Sequence, residues 1–116
     1  MQCVKSVSYS VKCNGELLEP FLPSRGLRQG DPLSPYLFLF VADGLVLLLK
    51  KELAENNINP INIARNSPGI SNLLFAGDSL IFFKAVPEQA ATIKKVLDTF
   101  QKCTGQLLSP NKCSLL

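Results

Sequence analysis

Ile70-Ser71-Asn72-Leu73-Leu74-Phe75-Ala76-Gly77-Asp78-Ser79-Leu80-Ile81-Phe82-Phe83 sets two apolar runs, 70–76 and 79–83, on either side of a Gly-Asp pair. Runs this short, joined by Gly at a tight connection, predict a β-hairpin whose strands are largely buried. Another hairpin is predicted upstream. Val7, Tyr9, Val11 and Cys13 alternate with Ser8, Ser10 and Lys12, the two-residue period of a half-buried strand. Asn14-Gly15 follows, a pair suited to the positive φ of a two-residue turn. Glu16 to Leu22 then returns as the partner strand, with Pro20 and Pro23 limiting its pairing.

Two helices complete the pattern. Ser34-Pro35 reads as an N-cap followed by Pro at the first helical position, opening a helix over 35–54. Its first half is apolar all round and is expected to be buried, with Lys50-Lys51-Glu52 bringing it to the surface. Tyr36 to Leu49 is too short to span a membrane, which takes about 20 apolar residues, and Asp43 interrupts it. Asn56 to Gly69 reads as a loop with an extended piece near Ile61-Asn62-Ile63. Pro87 opens the second helix, with Ala90, Ile93, Val96, Leu97, Phe100 and Cys103 on one face and Gly105 as C-cap. Residues 106–116 are predicted to form a strand and turn. The order hairpin, helix, hairpin, helix, strand makes residues 1–116 one α+β unit.

Composition bounds the chemistry. At 116 residues, 47% hydrophobic and 18% charged, the chain is too apolar for disorder and too small for a complete large enzyme. A net charge of +3 is compatible with a phosphate-bearing partner but falls short of a polycationic arm. There is no His, so acid–base or metal chemistry must rest on carboxylates, Lys, Tyr or Cys. Cys3, Cys13, Cys103 and Cys113 form no Cys-x-x-Cys pair, and Met1 to Ser6 has no apolar signal-peptide segment. Both features predict an intracellular protein with reduced thiols, in a nuclear or organellar setting that composition leaves open.

Three places could carry function. Arg25 and Arg28 flank Gly26, and Gln29-Gly30 lead on to the helix start at Ser34. Glycines let backbone approach a ligand, arginines bind phosphate bidentately, and a helix start favours negative charge. The same loop can equally be a solvated one with two surface arginines. Asp78 at the second hairpin is a good metal-ligand position, but Asp is also a common turn residue for conformational reasons alone. Lys112 could donate a proton or contact phosphate, or simply be solvated.

The block Ser24-Arg25-Gly26-Leu27-Arg28-Gln29-Gly30-Asp31-Pro32-Leu33-Ser34-Pro35-Tyr36-Leu37-Phe38 resembles the reverse transcriptases of non-LTR (LINE-type) retrotransposons, particularly those of plants. The resemblance continues at Tyr9-Ser10-Val11 with Asn14-Gly15, at 73–80 and at 105–112, and so covers nearly the whole chain. It implies a partial polymerase palm subdomain, with two β-hairpins, two packing helices and a C-terminal strand. It further implies an RNA-directed DNA polymerase, with RNA template, DNA primer and dNTP as partners. Two divalent ions, Mg²⁺ or Mn²⁺, would activate the primer 3′ oxygen and stabilise the leaving pyrophosphate. Within that resemblance Arg25, Arg28, Gln29, Gly30 and Ser34 face the nucleotide and template, while Asp78 is a catalytic metal ligand. Lys112 keeps the position that contacts or protonates the departing phosphate.

The chain also departs from the family's pattern. Gly77 stands where the Phe-Ala-Asp-Asp motif has its first carboxylate, and the family's other metal-binding Asp lies upstream of the Asn-Gly hairpin. Ser109 replaces the usual Asn and Cys113 the usual Ser. The expectation is a truncated palm, inactive by itself and in want of the remaining polymerase regions. Two other readings stay open: a non-catalytic nucleic-acid binder that kept the basic loop, and a decayed open reading frame.

Overall fold

The structure, a computed structural model, describes residues 6–24 and 26–114. They fall into two compact units, 1–38 and 39–116. Among the described residues the architecture is α+β: two helices and three small antiparallel strand pairs.

In the first unit, β1 (Lys12–Cys13) pairs with β2 (Glu16–Leu17) across Asn14-Gly15, whose φ values of 50° and 91° are both left-handed, as the tight hairpin turn demands. The pairing continues as one backbone bond, from the Leu18 N–H to the Val11 carbonyl, and as a reciprocal pair between Tyr9 and Phe21. Tyr9 and Lys12 are three residues apart, whereas their partners Phe21 and Leu17 are four apart. The return strand therefore carries one extra residue, a bulge in the stretch holding Pro20, which has no N–H to give a ladder. The Tyr9 and Phe21 rings stay in contact beyond it, with centroids 5.9 Å apart. The expected half-buried face survives at Val7 and Tyr9 only; Val11 and Cys13 are exposed.

Helix α1 (Ser34–Ala54) begins in the first unit and runs mostly through the second. Contrary to the all-round burial expected of its first half, Leu39 and Phe40 stand exposed, Phe40 at 75%. Only one stripe packs inward: Leu45 and Leu49 are buried, with Leu48 and Leu53 against them. The helix ends in a Schellman motif. Asn56 takes the left-handed conformation (φ 59°), its N–H donates to the Leu53 carbonyl, and the Asn57 N–H donates to that of Glu52. That reversal turns Ile58 into the core, where it is 1% exposed.

β3 (Ile61–Asn62) pairs with β4 (Gly69–Ile70), so Ile70 belongs to this small hairpin rather than to the run that follows. β5 (Asn72–Phe75) then pairs with β6 (Asp78–Ile81) across Ala76-Gly77. The turn thus sits one residue earlier than the Gly-Asp pair suggested. Nor are these strands largely buried: Leu73, Phe75 and Leu80 are exposed, while Leu74 and Ile81 pack on the core. A two-stranded sheet with one covered face can bury only alternate residues.

Helix α2 (Pro87–Thr104) starts with Pro87 in its first turn and closes on Gly105 (φ 72°), whose N–H donates to the Gln101 carbonyl. Ile93 and Val96 are buried and Leu97 and Phe100 pack beside them, as the spacing predicts, but Ala90 and Cys103 are exposed. The inward position in the first turn is Gln89 instead. Its Oε1 accepts the backbone N–H of Asn59 at 3.1 Å and of Lys84 at 3.0 Å. The predicted C-terminal strand is replaced, among the described residues, by a 3₁₀ turn over Pro110–Lys112. Pro110 fixes φ and lacks the N–H a strand would use.

Gln89 therefore ties α2 to the segment leaving α1 and to the exit of the β5–β6 hairpin. Replacing Gln89 with Ala strands two backbone donors and should destabilise the chain by about 1–3 kcal/mol, read as a lower urea midpoint. Gln89→Glu keeps the accepting oxygens and should retain most of the stability; an equal loss in both variants would refute this role.

Candidate nucleic-acid interface

The glycine loop of the first unit is built from two successive turns. In the first, the Asp31 N–H reaches the Arg28 carbonyl at 3.4 Å, with Gly30 at φ 81°. A positive φ at the third position is what a type II turn requires, and this explains the glycine. In the second, the Ser34 N–H donates to the Asp31 carbonyl at 3.1 Å, with Pro32 in the second position that fixed φ favours. Two side chains lock the pair of turns together. Asp31 Oδ1 accepts the Leu33 N–H at 2.8 Å, and Ser34 Oγ donates to the Arg28 carbonyl at 2.7 Å.

This arrangement revises the reading of the helix start. Ser34 is the first helical residue and its hydroxyl turns back into the loop, so it is not the N-cap. Asp31 supplies the cap from three residues earlier, through both its carboxylate and its carbonyl. Pro35 has no N–H to satisfy. The protein's own carboxylate thus sits against the residue that precedes the helix, beside its electropositive end. Asp31 was missed as a functional position; the Asp-Pro pair before an apolar run was the available signal.

The loop borders a shallow surface depression whose lining includes Tyr9, Gly26, Arg28, Ser34 and Leu37. Arg28, Gln29 and Gly30 are exposed and Ser34 is half-buried. No ion pair engages Arg28 among the described residues, so its guanidinium can face a ligand. Arg25, the other expected phosphate contact, lies outside the described residues. Of the expected site, the fold therefore gathers Arg28, Gln29, Gly30 and Ser34 into one loop.

Asp78 and Lys112 belong to the second unit. Asp78 is the first residue of β6, directly opposite Phe75, and is exposed. Lys112 closes the 3₁₀ turn, also exposed, its N–H donating to the Ser109 carbonyl at 2.9 Å. Among the described residues no hydrogen bond or ion pair joins these two side chains to each other or to any other group. No three acidic or thiol side chains gather where they could share a cation, again among the described residues.

Comparison with known proteins places these features in a family. The reverse transcriptase (RNA-dependent DNA polymerase) family matches over residues 1–116. The chain is 35% identical over 104 residues to a retrovirus-related Pol polyprotein from a type-2 retrotransposable element of Drosophila melanogaster, covering 90% of this chain and 9% of that protein. A Pol polyprotein from a type-1 retrotransposable element of Popillia japonica is 30% identical over 117 residues, covering 98% of this chain and 18% of the relative. An uncharacterized mitochondrial protein of Arabidopsis thaliana is 49% identical over 57 residues, covering 49% of this chain and 47% of that protein. The chain thus spans less than half the length of each of these relatives. No solved structure matches it.

The family uses divalent metal ions, and the donor set at the β5–β6 tip can be tested against that chemistry. One exposed carboxylate beside a glycine does not fit a pair of divalent ions, which need several oxygen ligands each. The backbone is not the obstacle. A Cβ on Gly77 would meet no atom within 4 Å, and its φ lies outside the left-handed region. Gly77→Asp should therefore fold normally and create a two-carboxylate cation site. Mn²⁺ titrated into that variant should broaden the Asp78 amide resonance at concentrations that leave the unsubstituted chain unaffected; equal broadening in both would contradict the assignment.

Proposed function

The chain belongs to the reverse transcriptase (RNA-dependent DNA polymerase) family, and on that footing we propose that it acts as a nucleic-acid-facing palm piece that does not polymerise by itself. The observation that carries this reading is the Arg28–Ser34 loop, held by hydrogen bonds among its own residues and presenting, beside a shallow surface depression, an Arg28 that makes no ion pair among the described residues. A phosphate backbone, of RNA template or DNA primer, is the ligand such a cationic, backbone-rich surface suits. Tyr9 and Leu37 offer apolar surface in the same depression, which a base or sugar can cover.

Gly77 motivates the second half of the proposal. With Asp78 as the single carboxylate of the tip, no step of nucleotidyl transfer with Mg²⁺ or Mn²⁺ is assigned to this chain. The role of Lys112 at a departing phosphate is likewise left to the family, since its side chain is exposed and makes no side-chain hydrogen bond or ion pair among the described residues.

Further polymerase regions are the protein partner this surface favours. Among the described residues five apolar side chains are buried, whereas eighteen large apolar ones are exposed. Those of the second unit include Leu39, Phe40 and Leu47 on α1 and Leu73, Phe75 and Leu80 on the hairpin. Apolar surface in this quantity marks an interaction face. It equally favours the reading of a decayed open reading frame, whose product would aggregate; a soluble monomer with one cooperative melt counts against that version.

The proposal is tested with the purified chain, an RNA–DNA primer–template and the single-stranded RNA and DNA. Binding that weakens as salt rises, and that Arg25→Ala with Arg28→Ala both weakens and makes less salt-dependent, is expected. Primer extension with Mg²⁺ or Mn²⁺ should be absent. Failure to bind at moderate salt would remove the first half of the proposal, and extension of the primer the second.

A further inference from the structure

Ser34 is expected from the motif to touch the nucleotide or template, and its hydrogen bond points to another role. A serine hydroxyl has one hydrogen to donate, and here it goes to the Arg28 carbonyl at 2.7 Å. Phosphate oxygens only accept, so Ser34 cannot serve a phosphate and hold this carbonyl at once. The same carbonyl also takes the Asp31 N–H at 3.4 Å, which occupies both of its acceptor directions. Asp31 in turn receives the amides of Leu33 and Ser34. Arg28, Asp31 and Ser34 thus form one closed circuit. It fastens the backbone of the arginine to the first turn of a 21-residue helix.

We infer that Ser34 is a positioning residue: its hydroxyl fixes the backbone of Arg28 so that the guanidinium is presented to a nucleic-acid phosphate at low ordering cost. This rests on the nucleic-acid reading above and adds to it the means by which an exposed arginine on a glycine-flanked loop becomes a specific contact. Gly26 (φ 91°) and Gly30 (φ 81°) give the loop backbone freedom on either side of Arg28, and ordering such a segment on binding would cost affinity. The circuit removes part of that cost in the free chain.

The test is a set of four full-length variants, Arg28→Ala, Ser34→Ala, Ser34→Thr and the double Arg28→Ala/Ser34→Ala, titrated against single-stranded RNA over a range of salt. Ser34→Ala should weaken binding roughly three- to tenfold, the scale of one net hydrogen bond. It should leave the salt slope unchanged, because no phosphate contact is lost. Arg28→Ala should weaken binding and lower the slope by about one. The double variant should bind no worse than Arg28→Ala, since Ser34 acts only through the arginine. Ser34→Thr keeps the hydroxyl and should bind like the unsubstituted chain. Hydrogen exchange gives an independent reading: the Asp31 and Ser34 amides should lose protection in Ser34→Ala and keep it in Ser34→Thr. If Arg28→Ala weakens binding while Ser34→Ala does not, or if the two effects add in full, positioning is overturned and the nucleic-acid reading stands. If the unsubstituted chain binds no RNA, both fail together.

Discussion

The second unit depends on the removal of Leu49 and Ile58 from water, the two large side chains that are wholly buried among the described residues. Each such burial is worth roughly 1.5–3 kcal/mol. Leu49 arrives on the inward stripe of α1, but Ile58 lies beyond the helix and reaches the core only because the Asn56–Asn57 reversal folds the chain back. Ile93 and Val96 of α2 complete the same cluster. A core this small tolerates no buried polar group without partners, and Gln89 meets the condition by accepting two backbone amides from the segments that flank it. The shared apolar cluster and the polar clasp are thus parts of one solution: the cluster supplies the stability, and Gln89 satisfies the connections that bring it together.

How much of this was legible depends on whether the governing physics is local. Asn14-Gly15 and Gly105 were readable because a single residue's φ decides them, and the structure has them where the sequence puts them. The inward stripe of α2 was readable at Ile93, Val96, Leu97 and Phe100 from spacing alone. Burial was not. The apolar start of α1 and the strands β5 and β6 look like interior segments, yet Phe40 is 75% and Phe75 82% exposed. Hydropathy states what a side chain would prefer to meet, not whether anything is present to meet it. Gln89 illustrates the converse, a polar residue on the core face because two distant amides need its oxygen. The terminal strand failed for a third reason: among the described residues, strand propensity in 106–114 has no ladder to join once Pro110 starts a 3₁₀ turn.

At the glycine loop the motif located the residues but not their division of labour. Read as a pattern, Arg-Gln-Gly-Asp-Pro-Leu-Ser-Pro offers one Arg, one helix start and one hydroxyl to an anion. The geometry distributes them otherwise. Asp31 sits beside the helix end and Ser34 spends its hydrogen inside the loop, leaving Arg28 as the cation among the described loop residues. An anion at this loop would meet a carboxylate three residues from the guanidinium. On the nucleic-acid reading proposed above, that proximity would favour an extended polyanion, approached from the arginine side, over a small phosphate seated at the helix terminus.

The hairpin tip separates two requirements that a short motif merges. Presenting carboxylates depends on the backbone, which must make a tight two-residue connection and hold a register that sets the next residue at the strand start. The backbone does both, since Ala76 takes the positive φ (49°) and Phe75 pairs directly with Asp78. Supplying charge depends on the side chains, and Gly77 withholds one carboxylate without disturbing the turn. The turn itself leaves room for either residue: a Cβ at position 77 would meet no neighbouring atom within 4 Å. The fold therefore sets no steric demand for glycine at position 77, and a requirement for a particular side chain there would have to come from a ligand.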